Sequence, residues 1–89
     1  MGEIMNAMSS LRDAVYGIVG LGIMGGSVAK AIRSNVLDMP DSPGKIFACD
    51  ALGATLDAAV RDGVIDKGFA PGEAGAMLLQ CDIVYICLY

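Results

Sequence analysis

Apolar positions along this chain fall into short continuous runs, separated by segments in which they recur at helical spacing. Residues 14–20 (Ala-Val-Tyr-Gly-Ile-Val-Gly) are uncharged and of strand length, which predicts a first strand. From residue 23 to about residue 36 the apolar positions Met24, Val28, Ala31, Ile32 and Val36 (with Asn35) return every three or four residues. Lys30, Arg33 and Ser34 fall on the opposite side, so a helix is expected there. Residues 37–44 gather Asp38, Pro40, Asp41, Ser42, Pro43 and Gly44, the punctuation of a loop. Residues 45–50 (Lys-Ile-Phe-Ala-Cys-Asp) predict a second strand that ends on a carboxylate.

The alternation continues. A second helix is expected over residues 53–61, with Leu52, Leu56, Ala59 and Val60 turned inward and Gly63 as its stop. Residues 64–69 predict a short edge strand. Residues 71–80 predict a third helix, with Pro71 in its first turn and Glu73 placed to suit the helix dipole. Residues 81–88 (Cys-Asp-Ile-Val-Tyr-Ile-Cys-Leu) form a second apolar run, begun through Asp82. Strands that alternate with helices imply an α/β chain with right-handed crossovers and a parallel sheet. Residues 1–13 show no strand period and are expected to be an N-terminal extension, leaving 14–89 as the folded part. There is no internal repeat and no low-complexity segment.

Composition narrows this picture. Eighty-nine residues make at most one small domain, and 55% hydrophobic against 18% charged residues is far from a disordered chain. Such an apolar balance suits a parallel sheet buried on both faces. A net charge of −4, with the six Lys and Arg scattered, argues against nucleic acid as a partner. The uncharged run 14–29 has 16 residues, short of the ~18–20 that a membrane-crossing helix needs. Glu3 and Asp13 spoil the basic start of a signal peptide. A soluble, cytoplasmic chain is therefore expected. Cys49, Cys81 and Cys87 are odd in number and lack C-x-x-C spacing, so they are expected to be reduced core thiols. No metal-ligand set is expected.

The chemistry gathers where the first strand meets the first helix. Gly20-Leu21-Gly22-Ile23-Met24-Gly25 is a Gly-x-Gly-x-x-Gly turn in the order that a dinucleotide pyrophosphate needs. Gly20 permits the tight turn, Gly22 lets backbone approach the phosphates, and Gly25 lets the helix pack close to the strand. The N–H groups of the first helical turn then face the anion with the positive end of the dipole behind them. The second strand supplies a matching acid. Asp50 follows Gly25 by 25 residues, against the usual ~20, and the proline-containing loop accounts for the excess. A carboxylate there accepts hydrogen bonds from the adenosine ribose hydroxyls and repels a 2′-phosphate, and Ala51 and Leu52 offer no cation. NAD is favoured over NADP. The bland alternative is a solvated strand-end acid beside a merely tight turn, and it weakens once both occur in the right order. Asp57, Asp62, Asp66 and Glu73 read as helix-face or loop charges, Asp82 as a residue at the start of a strand, and Tyr85 as core or sheet edge.

From Gly20 to Ala31 the chain resembles the nucleotide-binding start of the prephenate (or arogenate) dehydrogenases, with Gly25-Gly26-Ser27 as the discriminating part. The segments Ala58-x-x-x-Asp62-Gly63-Val64-Ile65-Asp66 and residues 81–88 resemble later parts of the same family, so the likeness spans about residues 15–89. It implies a Rossmann-type sheet, here a truncated one of strand order 3-2-1-4 with flanking helices. It also implies, for an intact parent, an NAD(P)-dependent oxidative decarboxylation of prephenate to 4-hydroxyphenylpyruvate in tyrosine biosynthesis, by a homodimer. The cofactor-binding residues carried over are Gly20, Leu21, Gly22, Ile23, Met24, Gly25 and Asp50.

This chain has no His at all, whereas the family places its catalytic His beyond the last strand present here. The family's helical dimerisation domain is also missing. No catalytic residue is therefore assigned, and the chain alone is expected to bind cofactor without turnover. A last strand left as an edge, over 83–88, is expected to favour self-association. Alternatives are the NAD-binding portion of a β-hydroxyacid-type dehydrogenase, a non-catalytic NAD(H)-sensing module, and an interaction piece without a ligand.

Overall fold

The computed structural model describes residues 11–38 and 42–88. Most of the expected extension (1–10), the loop residues 39–41 and Tyr89 lie outside them, and residues 11–13 are helical. The elements in order are β1 (Val15–Val19), α1 (Ile23–Asn35), β2 (Lys45–Cys49), α2 (Gly53–Arg61), β3 (Lys67–Phe69), a 3₁₀ turn (Pro71–Glu73), α3 (Ala74–Leu78) and β4 (Ile83–Ile86). The sheet has the order β3-β2-β1-β4 and is parallel throughout. Its register sets Val15 opposite Lys45 and Tyr16 opposite Ile83. The alternation of elements predicted the parallel α/β sheet, and the family resemblance implied its Rossmann-type order 3-2-1-4.

Strand alternation divides the core in two. Tyr16, Ile18, Ile46 and Ala48 face one way and meet Ala29 and Ile32 of α1 and Leu56 of α2. Cys49 and Phe69 face the other way and meet Met77 of α3, with Val19, Phe47 and Cys81 packed around them. Burying each large apolar side chain such as Ile18 or Met77 contributes about 1.5–3 kcal/mol. The buried Tyr16 phenol is satisfied, because its hydroxyl donates to the Leu11 carbonyl at 2.7 Å. Burial, with Tyr85 adding to it, pushes the Tyr16 phenol above its ordinary pKa.

Helix faces differ from the hydrophobicity pattern. Ile32 is buried and Val28 packs against the core as expected, but Met24 and Ala31, also expected inward, are exposed, and Gly25 and Ala29 are buried in their place. The reason is the crossing. A helix that sits this close to β1 must present its smallest side chains there. In α2, Leu52 and Val60 are likewise exposed, leaving Leu56 buried and Ala59 half-buried. The stop at Gly63 is as expected: its φ of +74° suits glycine, and Val64 N–H donates to the Ala59 carbonyl at 2.9 Å in a Schellman closure.

The third helix is shorter than 71–80. It splits into the 3₁₀ turn and α3, with Glu73 Oε1 accepting the Ala70 N–H at 3.1 Å. Its end tightens through Gln80 N–H to Met77 carbonyl at 3.0 Å and Cys81 N–H to Leu78 carbonyl at 3.2 Å, which turns the chain into β4. Asp82 does more than start that strand. Its backbone N–H donates to the Val15 carbonyl and its carboxylate accepts the Val15 N–H, both at 2.8 Å.

Candidate functional site

The carboxyl ends of β1, β2 and β4 meet at the point where the strand order changes direction, the usual place for a ligand on an open α/β sheet. A cleft of about 330 Å³ lies there, bordered by Gly20, Gly22, Asp50, Ala51, Pro71 and Leu88. Gly20 and Asp50 come from opposite ends of the sequence pattern, and the sheet brings them together.

The glycine turn is built as its spacing predicts. Gly20 has a φ of +91°, a left-handed conformation that side chains disfavour, and a Cβ on it would lie 2.6 Å from the Cys87 carbonyl oxygen. Gly25 presses against the Gly20 carbonyl oxygen, so a Cβ there would overlap it. Gly26, by contrast, has open space where its Cβ would be. Gly22 caps α1 without a side chain, and the helix's first internal bond runs from Gly26 N–H to the Gly22 carbonyl at 2.8 Å. The N–H groups of Ile23, Met24 and Gly25 therefore have no acceptor within the helix. Ile23 and Met24 project their side chains outward, at 83% and 64% exposed.

Two backbone N–H groups tie the turn to the end of β2. Gly20 N–H donates to the Cys49 carbonyl at 2.9 Å, and Leu21 N–H donates to Asp50 Oδ2 at 2.8 Å. Asp50 Oδ1 accepts the Leu52 N–H at 2.8 Å, while the Asp50 N–H reaches the Phe69 carbonyl at 3.3 Å. The Leu21 side chain is buried in the core, so the turn is held from both sides. Cys49, beneath Asp50, is a free thiol whose pKa is pushed up by burial and by the nearby Asp50 and Glu73 charges.

All seven residues singled out for cofactor contact thus lie at one end of the sheet: Gly20, Leu21, Gly22, Ile23, Met24, Gly25 and Asp50. Cys87, Leu88 and Pro71 border the same cleft and were not singled out. The signal for Leu88 was available, since residues just beyond a strand next to β1 lie beside the turn. Pro71 arrives by the path of the crossover, which no local pattern encodes. Tyr85 sits on the sheet edge, 38% exposed. Asp66 is more than a loop charge: it accepts the Ile46 N–H and pairs with Arg33, both at 2.8 Å. Among the described residues no cluster of His, Cys, Asp or Glu could hold a metal, and no helix is long and apolar enough to cross a membrane.

No family model matches the chain, and no curated protein matches it significantly. Among solved structures it is similar to prephenate dehydrogenase from A. aeolicus, crystallised with hydroxyphenyl propionate and NAD+. The likeness has a TM-score of 0.67 and 33% identity, over 82% of this chain and 23% of that one. The chain therefore spans about a quarter of the length of the structure it matches.

Proposed function

We propose that this prephenate dehydrogenase-like chain binds NAD, with the adenosine and pyrophosphate half of the cofactor held at the glycine turn and Asp50. The observation that carries the reading is the juxtaposition of the turn with a strand-end carboxylate, on a domain similar to one from an NAD+ complex. The cradle fits the group. A Cβ at Gly20 or Gly25 would overlap backbone atoms of the turn, so only glycine keeps its close approach there, and the N–H groups of Ile23, Met24 and Gly25 have no acceptor within the helix. Each Asp50 oxygen holds one backbone N–H and keeps a further acceptor position for a ribose hydroxyl. A 2′-phosphate has no proton to offer and would meet that negative charge, so NAD is preferred over NADP.

As part of a longer protein, the domain serves an NAD-dependent oxidation of a small molecule, with prephenate as the proposed substrate and 4-hydroxyphenylpyruvate as the product. The setting proposed for that parent is tyrosine biosynthesis, as a cytoplasmic homodimer. Bound nicotinamide supplies the hydride acceptor. The chain's own share is to bind and orient, because its 89 residues include no His to act as a base near neutral pH. We propose that it does not turn over prephenate alone.

Calorimetric titration of the 89-residue chain tests the binding. NAD is expected to saturate one site, with NADP weaker by about tenfold or more, equivalent to ~1.4 kcal/mol. Tighter binding of NADP, or no binding of either, would overturn the reading. Reduction of NAD in the presence of prephenate by this chain alone would overturn the proposed inactivity.

A further inference from the structure

We infer that Asp50 is a positioning residue of the glycine turn, fixing the Leu21 peptide through a charge-assisted hydrogen bond before any ligand arrives. The inference rests on the NAD reading for its functional consequence, but its geometry stands independently. Oδ2 accepts the Leu21 N–H and Oδ1 accepts the Leu52 N–H, each at 2.8 Å, so one carboxylate bridges the turn after β1 and the approach to α2. The Asp50 N–H is itself bound to the Phe69 carbonyl, which holds the acid from the β3 side. The Gly20 N–H to Cys49 carbonyl bond lies just before it along the turn. The first two N–H groups of the turn are thereby committed to Cys49, the last residue of β2, and to Asp50 just after it.

Two consequences follow from donor and acceptor counting. The Leu21 N–H points at Asp50, so an anion at the turn must take its donors from Ile23, Met24 and Gly25 instead. A carboxylate offers about four acceptor positions, and two are used by backbone. The remaining two, one on each oxygen, match the two O–H groups of a vicinal diol. Asp50 therefore couples ribose recognition to the shape of the phosphate cradle through the same two atoms. An amide cannot replace it, because the NH₂ of Asn would face either the Leu21 or the Leu52 N–H, donor against donor.

The decisive comparison uses Asp50→Asn and a ligand that lacks the diol, 2′,3′-dideoxyadenosine 5′-diphosphate. If Asp50 acts only on ribose, the substitution leaves the affinity for this ligand unchanged. The positioning role predicts a loss of about fivefold or more for the dideoxy ligand as well as for NAD. In the ligand-free chain, exchange of the Leu21 amide is expected to accelerate by about tenfold or more in Asp50→Asn, as for loss of a hydrogen bond to a charged acceptor. Exchange of the Ile18 amide reports whether the sheet stays intact. Unchanged dideoxy affinity with unchanged Leu21 exchange overturns the inference. Failure of the wild-type chain to bind NAD overturns the function proposed above, and the ligand-free measurements then still decide the role of Asp50.

Discussion

Gly25 lies against the carbonyl oxygen of Gly20 with no room for a Cβ between them. That contact sets how closely α1 approaches β1, and hence which face of the helix is buried. Gly25→Ala would force the helix start away from the strand, a backbone-on-Cβ overlap that no rotamer relieves. The expected cost is about 3 kcal/mol, at the upper end of overpacking effects. Thermal unfolding measures the stability loss, and calorimetry should show NAD binding lost with it.

Gly26, next in sequence, predicts the opposite outcome. It is a helical glycine with open space at its Cβ position. Gly26→Ala removes backbone freedom from the unfolded chain and is expected to stabilise the domain by about 0.5–1 kcal/mol. Its NAD affinity should match that of the wild-type chain in the same titration. The pair of variants separates a glycine needed for contact from one that the fold does not require.

Asp66 gives the domain a pH dependence. Burial acts to raise its pKa, but the Arg33 guanidinium and the Ile46 N–H outweigh this and hold it below the ordinary value. A carboxyl with a depressed folded pKa contributes stability above its unfolded pKa, near 4, and loses it as pH falls through the folded value. Asp66→Ala is expected to cost about 1–2 kcal/mol at neutral pH, from the unmatched Ile46 N–H and the broken ion pair. The variant's stability should also fall less steeply than the wild type's between pH 5 and the acid limit, about 5 to 2. Urea unfolding across that range measures both.

The edge of β4 predicts association. Val84, Tyr85 and Ile86 are all exposed, Ile86 at 71%, and the strand bears neither a charge nor a proline. The opposite edge strand, β3, is short and starts with Lys67, a protected design. Antiparallel pairing of two β4 strands about a two-fold axis brings no charged side chain within the strands themselves, which are Ile-Val-Tyr-Ile. Sedimentation of the 89-residue chain should show concentration-dependent self-association, and Ile86→Lys should weaken it by about tenfold or more.

Much of the fold and site was legible before the structure. The strand-turn-helix at Gly20 to Gly25 follows from steric rules that act between chain neighbours, as does the stop at Gly63 with its φ of +74°. Asp50 was identified from its place at a strand end. The buried stripe of α1 was legible only in part: Gly25 and Ile32 were expected to pack inward, but hydrophobicity also put Met24 and Ala31 there, where Ala29 is buried instead. Nor was the role of Asp66, whose partners Ile46 and Arg33 are 20 and 33 residues away.

The order 3-2-1-4 came with the family resemblance, whereas the elements, their parallel direction and the glycine turn with Asp50 were written in the residues themselves. Those depend on local periodicity, on glycine at fixed offsets and on the handedness of crossovers. Only the tertiary structure decided that Leu21 and Asp50, 29 residues apart, share a hydrogen bond. Strand register fixes which backbone N–H faces which carboxylate, and register is set by the packing of the whole sheet.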